Sequence, residues 1–146
     1  MRSIAGILSE KGKAVWSVTP AATVKEALQE MTNRDVGAVL VVTDDKLAGI
    51  FSERDFTRRA AAAGEIDFNT PVGEVMTTQV FYISPDYSIE QCMALMTEKH
   101  VRHLPVLEEE RLVGIVTIGD IVKRVIADQQ FMITELEKFI KGSYPG

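Results

Sequence analysis

Two short stretches of this 146-residue chain set a hydroxyl three positions ahead of a carboxylate: Ser52-Glu-Arg-Asp55 and Thr117-Ile-Gly-Asp120. A helix N-cap uses this spacing. The hydroxyl accepts from the amide three residues on, and the acidic side chain reaches back. Capping needs no ligand, and the same oxygens remain suited to one. The other candidates for chemistry are His100, His103 and Cys92, in a chain with 2 histidines and 1 cysteine. A closed zinc site takes four ligands, and residues i and i+3 of an extended strand face opposite ways, so no metal is read here. His103 is expected to line a cleft or to be a satisfied buried imidazole, and His100 to be exposed. Cys92 falls on the apolar face of a predicted helix and reads as a structural thiol. Carboxylates are plentiful but none forms an acid/base pair. There is no hydrolase elbow, P-loop, G-x-G-x-x-G or His-Glu-x-x-His. The chain is therefore not read as an enzyme.

The two hydroxyl–carboxylate stretches are copies. A shift of 65 positions superposes Pro20 on Pro85, Met31 on Met96, Val41 on Val106, Gly49 on Gly114, Asp55 on Asp120 and Arg59 on Arg124, without gaps. Internal repeats decide a fold before local detail does. Each copy reads as βαββα. A short strand (14–18; 80–83) leads through a proline turn to a capping box, Thr23 to Glu26 in one copy and Ser88 to Gln91 in the other. A helix with 3–4 apolar spacing follows. Two strands then flank a charged turn (37–43 and 47–52; 103–107 and 112–117), and a second helix starts near Glu53 or Ile118. The apolar runs 38–42 and 115–116 predict strands covered on both faces.

One copy of about 45 residues buries too little to stand alone, so the copies must share a core. The reading is an α/β (α+β) chain of two repeats packed sheet to sheet about a pseudo-two-fold. Residues 1–64 hold an N-terminal segment and the first repeat. Residues 65–79 are a linker with a short helix at 72–76, and 80–146 hold the second repeat and a C-terminal helix. Trp16 and its mate Phe81 are assigned to core packing. Pro105, where the first copy has Leu40, predicts a strand edge or bulge. Arg59 and Arg124 are expected in solvent, and residues 142–146 to fray.

Net charge is −5, which disfavours nucleic acid and anionic membrane as partners. No apolar run nears the roughly 20 residues that cross a bilayer. The start of the chain lacks the pattern of an export signal, and a single cysteine allows no internal disulfide. A cytoplasmic protein is expected.

Gly49-Ile-Phe-Ser-Glu-Arg-Asp55 and Gly114-Ile-Val-Thr-Ile-Gly-Asp120 resemble the G-h-h-[ST]-x-x-D signature of CBS domains. Val101-Arg-His-Leu-Pro-Val106 resembles their [HR]-x-L-P-V strand. The likeness runs from residue 14 to about 126, and the chain looks like a stand-alone CBS pair (a Bateman module) of the bacterial and archaeal signal-transduction type.

That resemblance implies ligand clefts between the copies. Asp55 and Asp120 would accept from both hydroxyls of a ribose, two acceptor oxygens meeting two donors. Ser52 and Thr117 would donate to phosphate or ribose near a helix N-terminus. Thr19, Pro20, Ser84 and Pro85, with Ala38 and His103, would frame the adenine, beside Leu104 and Pro105 of the signature strand. Arg54, Arg58, Arg102 and His103 are the candidate cations for phosphate. Arg54 faces Gly119 in the repeat register, so the two clefts are unequal. The implied ligand is an adenine nucleotide (AMP, ATP or NAD), bound for regulation, in a homodimer with helices at its interface. The alternative is a ligand-free protein-interaction module of the same fold.

Overall fold

The computed structural model describes residues 3–12 and 15–143. Helix α1 (Ile4–Lys11) precedes strand β1 (Ser17–Val18), helix α2 (Val24–Arg34), strands β2 (Ala38–Thr43) and β3 (Lys46–Ser52), and helix α3 (Glu53–Ala63). A 3-10 turn (Val72–Glu74) then leads to α4 (Ile89–Lys99), β4 (His103–Glu108), β5 (Arg111–Thr117) and α5 (Ile118–Ser143). The expected duplication is thus present in the helix–strand–strand–helix part of each copy. Of the 14–18 strand, residue 14 lies outside the described residues and the strand itself is Ser17–Val18. Residues 144–146 of the expected frayed end also lie outside them.

Local chemistry explains the repeated elements. Thr23 accepts from the Glu26 amide, and Ser88 with Gln91 forms the complete reciprocal box. Helices α2 and α4 end on left-handed residues, Asp35 and His100, that stop the helix and turn the chain into the next strand. Two-residue turns with positive φ at both positions, Asp44–Asp45 and Glu109–Glu110, close the hairpins β2–β3 and β4–β5. Such primed turns match the twist of the strands. Strand β2 is buried at four successive positions, Ala38 to Val41, as expected for a doubly covered strand. Strand β5 alternates instead: Val116 is buried and Ile115 only partly so.

The second copy has no strand at 80–83, only a parallel bridge from Ile83 to Val106. Pro105 is the cause. In the first copy the Leu40 amide donates to the Trp16 carbonyl at 3.3 Å. Proline at the equivalent position has no N–H, so the matching bond to Phe81 cannot form. Pro105 does not mark a sheet edge, because β4 lies between β5 and the Ile83 segment. The ladder irregularity nearby, between Val106 and Leu107, recurs between Val41 and Val42, so proline does not create it.

Each repeat's core is closed by the segment that precedes the other repeat. Ile4, Ile7 and Leu8 of α1 are buried with Ile89, Cys92, Met96, Leu104 and Val116 of the second repeat. Val72, Val75 and Met76 of the linker pack with Val24, Met31, Val39 and Phe51 of the first. Chain order sets α1 beside the first repeat, whereas its side chains belong to the core of the second. The signature glycines make room for these insertions. A Cβ at Gly49 would stand 2.6 Å from Met76 Sδ, and one at Gly114 would stand 2.7 Å from a Leu8 methyl. Arg124, expected in solvent, joins this packing: it bonds Glu10 of α1 at 2.7 Å and lies 3.8 Å from Asp128.

Candidate functional site

The two signature hydroxyls do cap helices. Ser52 Oγ accepts from the Asp55 amide at 3.1 Å, and Thr117 Oγ1 from the Asp120 amide at 3.1 Å. The first amide of each helix is tied to the residue before the neighbouring strand, Glu53 to the Gly37 carbonyl (3.0 Å) and Ile118 to the Arg102 carbonyl (2.9 Å). Those bonds fix the N-termini of α3 and α5 beside the starts of β2 and β4. The N-terminus of α3, with its positive dipole end, lines the junction between repeats.

A cleft of about 650 Å³ opens at this junction. The first repeat contributes Ser52, Arg54, Asp55 and Arg58; the second contributes Arg102 and His103. That volume is in the range of small-molecule sites. Asp55 sits in it with one hydrogen-bond donor on its carboxylate among the described residues, the Thr77 hydroxyl at 3.4 Å. Among the described residues, Arg54, Arg58 and Arg102 have no ion-pair partner. Two carboxylates, Glu53 and Asp55, thus share one opening with three guanidiniums and the Lys99 ammonium, fit for a molecule that carries both a diol and an anion.

Asp120 is in a different situation. Its Oδ2 accepts from the Thr117 amide at 2.9 Å and from the Lys11 ammonium at 2.6 Å. Lys11 also donates to the Ile115 carbonyl at 2.9 Å. Burial works against ionising Asp120, but the Lys11 and Thr117 hydrogen bonds and the Lys11 charge outweigh it and hold the carboxyl below its usual range. Burial and the charges of Lys11 and Arg102 lower the His103 pKa, against the opposing pull of Asp120, so its imidazole is neutral at pH 7.

Of the residues expected around adenine, only His103 lies in the Asp55 cleft. Pro20 and Pro85 instead use their carbonyls within the fold: Pro20 accepts from Gly73 and Pro85 from Ala5, both at 2.9 Å. The Thr19 carbonyl accepts from Ala22, and Ser84 and Pro85 border a separate groove beside Ser3 and Ala5. Ala38, Leu104 and Pro105 are buried in the sheets. Both proline turns are spent on docking the 3-10 turn and α1, which the repeat pattern did not reveal.

Sequence reasoning missed Thr77, Phe81 and Lys99, all on the cleft wall. Phe81 is not core: it is 42% exposed, with the Lys99 ammonium 5.3 Å from its ring centre. Its mate Trp16 is 37% exposed under the Arg34 guanidinium at 3.9 Å. The available signal was the repeat itself, which carries an aromatic at 16 and 81 and a cation at 34 and 99. Among the described residues no group of three or more His, Cys, Asp or Glu could hold a metal ion, and no helix is long and apolar enough to cross a membrane.

Two tandem repeats exchanging their preceding segments around a charged cleft define a paired-repeat module. The chain belongs to the CBS domain family, whose profile matches residues 12–62 and 72–127. It is 33% identical to the CBS domain-containing protein CBSX3, mitochondrial, of Arabidopsis thaliana, over 97% of this chain and 73% of that one. Among solved structures, the CBS domain protein NE2398 is 42% identical, with a TM-score of 0.81 over 86% of this chain and 98% of that one. Two others hold ligands. Hypoxic Response Protein I, 33% identical with a TM-score of 0.71 over 85% of this chain and 99% of that one, contains two coordinated zinc ions. CBSX2, 21% identical with a TM-score of 0.73 over 88% of this chain and 99% of that one, was solved with AMP, a likeness of fold alone.

Proposed function

We propose that this chain is a regulatory adenine-nucleotide-binding module that takes AMP, ATP or NAD in the Asp55 cleft and catalyses nothing. The observation that carries the reading is the Asp55 carboxylate, held in an inter-repeat cleft of about 650 Å³ with Arg54, Arg58 and Arg102. Asp55 takes the ribose diol, and the guanidiniums beside the α3 N-terminus take phosphate. Three guanidiniums and the Lys99 ammonium outnumber the two carboxylates of the cleft and favour phosphorylated ligands over an adenosyl sulfonium. The AMP complex of the similarly folded CBSX2 is a precedent at the level of fold. Binding across the two repeats tightens their mutual packing, and a difference in affinity between two arrangements passes a signal on.

The module works as a homodimer in the cytoplasm on this reading, with α5 at the interface. Phe131, Met132, Leu136, Phe139 and Ile140 of α5 are each more than half exposed and need a cover. The same face supports a second reading, a ligand-free module that docks another protein. A thermal-shift panel separates the two. A nucleotide at 100 times its Kd adds about 2.7 kcal/mol of stability. A rise in Tm with AMP, ATP or NAD, with the ligand recovered unchanged, supports the sensor. An unmoved Tm across the panel supports the docking module.

A further inference from the structure

We infer that Lys11 occupies the Asp120 site of this chain, so that one adenosyl ligand binds per chain, in the Asp55 cleft. The inference rests on reading the clefts as nucleotide sites. A cis-diol grips a carboxylate through both of its oxygens, and Asp120 Oδ2 already has two donors, the Lys11 ammonium at 2.6 Å and the Thr117 amide at 2.9 Å. Those two fill its lone pairs. An ammonium–carboxylate hydrogen bond is of the strong, charge-assisted kind.

Lys11 is not a loose surface arm. Its ammonium is also tied to the Ile115 carbonyl, at 2.9 Å. Its helix is anchored by the burial of Ile4, Ile7 and Leu8, by amide bonds from Ile4 to Tyr87 and from Ala5 to Pro85, and by the Glu10–Arg124 pair. A tethered group competes at a high effective concentration, so a free nucleotide meets a site whose grip is taken. Among the described residues the Asp55 cleft has no such occupant. Leu8 fills the notch at Gly114 as Met76 fills that at Gly49, and Ser3 bridges Ser88 as Pro71 bridges Thr23. Both pairings relate residue n of the segment 3–11 to residue n + 68, and 11 + 68 is 79. The counterpart of Lys11 is Gln79, a neutral amide on the wall of the Asp55 cleft. The two sites thus differ by one cation, Lys11 at Asp120 against Gln79 at Asp55.

The test is AMP stoichiometry by equilibrium dialysis on the full chain. Wild type binds one AMP per chain, Lys11→Met two, Asp55→Asn none, and the double variant one, through Asp120. Two equal sites in wild type, or one site still in Lys11→Met, overturns the proposal. Absence of AMP from both wild type and Lys11→Met defeats the nucleotide reading, and the proposal with it. A second measurement needs no nucleotide. Under limiting amine acylation read by mass spectrometry, Lys11 reacts more slowly than exposed Lys25 and Lys46, and Asp120→Asn raises it to their rate. Equal rates in wild type and Asp120→Asn contradict the occupied site.

Discussion

Gly114 of β5 receives the tip of Leu8 from α1: a Cβ at position 114 would lie 2.7 Å from Leu8 Cδ2. The glycine of the repeated signature is therefore a notch for a helix more than a hundred residues earlier in the chain. Gly114→Ala forces that methyl into an occupied space and is expected to cost about 1–3 kcal/mol by overpacking. Gly119→Ala, whose added Cβ meets nothing nearer than Thr117 Oγ1 at 3.5 Å, gains helix propensity of up to about 1 kcal/mol. Urea titrations of the two variants should move the midpoint in opposite directions.

Leu8→Ala removes the side chain from the other side of the same contact. Leu8 is buried with Ile83, Met96 and Val116, so a loss of about 2–5 kcal/mol is expected. Because α1 carries Lys11, the variant also loosens the Lys11–Asp120 bond. Hydrogen exchange should show faster exchange in α1 and at the start of α5, with α2 unchanged.

His103 makes stability depend on pH in a defined direction. Burial first, then the Lys11 and Arg102 charges, lower its pKa below the ordinary 6.5. In the unfolded chain it takes up a proton at a pH where the folded chain does not. Stability is therefore full above pH 6.5 and falls as the pH drops below it. Asp120, also lowered, weakens the fold only at pH values under the ordinary 3.8, outside that window. Chemical denaturation at pH 7 and pH 5 should show a decline in wild type that is smaller in His103→Gln.

Cys92 is fully buried in the second core, and burial pushes its thiol up to about 11. Only the thiolate reacts. Iodoacetamide at pH 8 should leave the native protein unmodified and should alkylate Cys92 once denaturant unfolds it. Native labelling at the unfolded rate would show that the second repeat opens locally.

Much of the fold was readable because the chain states it twice. The 65-residue register placed Asp55 and Asp120 on equivalent helix starts and paired the hairpins. Long-range exchange was hidden. Nothing local to Leu8 or Met76 announces that each fills a glycine notch in a repeat distant from it along the chain or across the linker. Trp16 and Phe81 misled as core candidates: each lies part-exposed under the cation that ends the following helix, Arg34 or Lys99. The strand at 80–83 failed on one missing N–H, that of Pro105, a loss visible only against the Leu40 bond in the first copy. The candidate site was half legible. Its acid, hydroxyl and arginines followed from the signature, while Thr77 and Lys99 enter the cleft only through folding.

The account stands most directly on a calorimetric titration of AMP, ATP and NAD into wild type and Asp55→Asn at pH 7.5. It predicts saturable binding of at least one of them to wild type. It further predicts a loss of at least about tenfold, 1.4 kcal/mol, in the variant, since one oxygen of the diol grip becomes an amide. Unchanged affinity in Asp55→Asn, with the fold intact by circular dichroism, would contradict it.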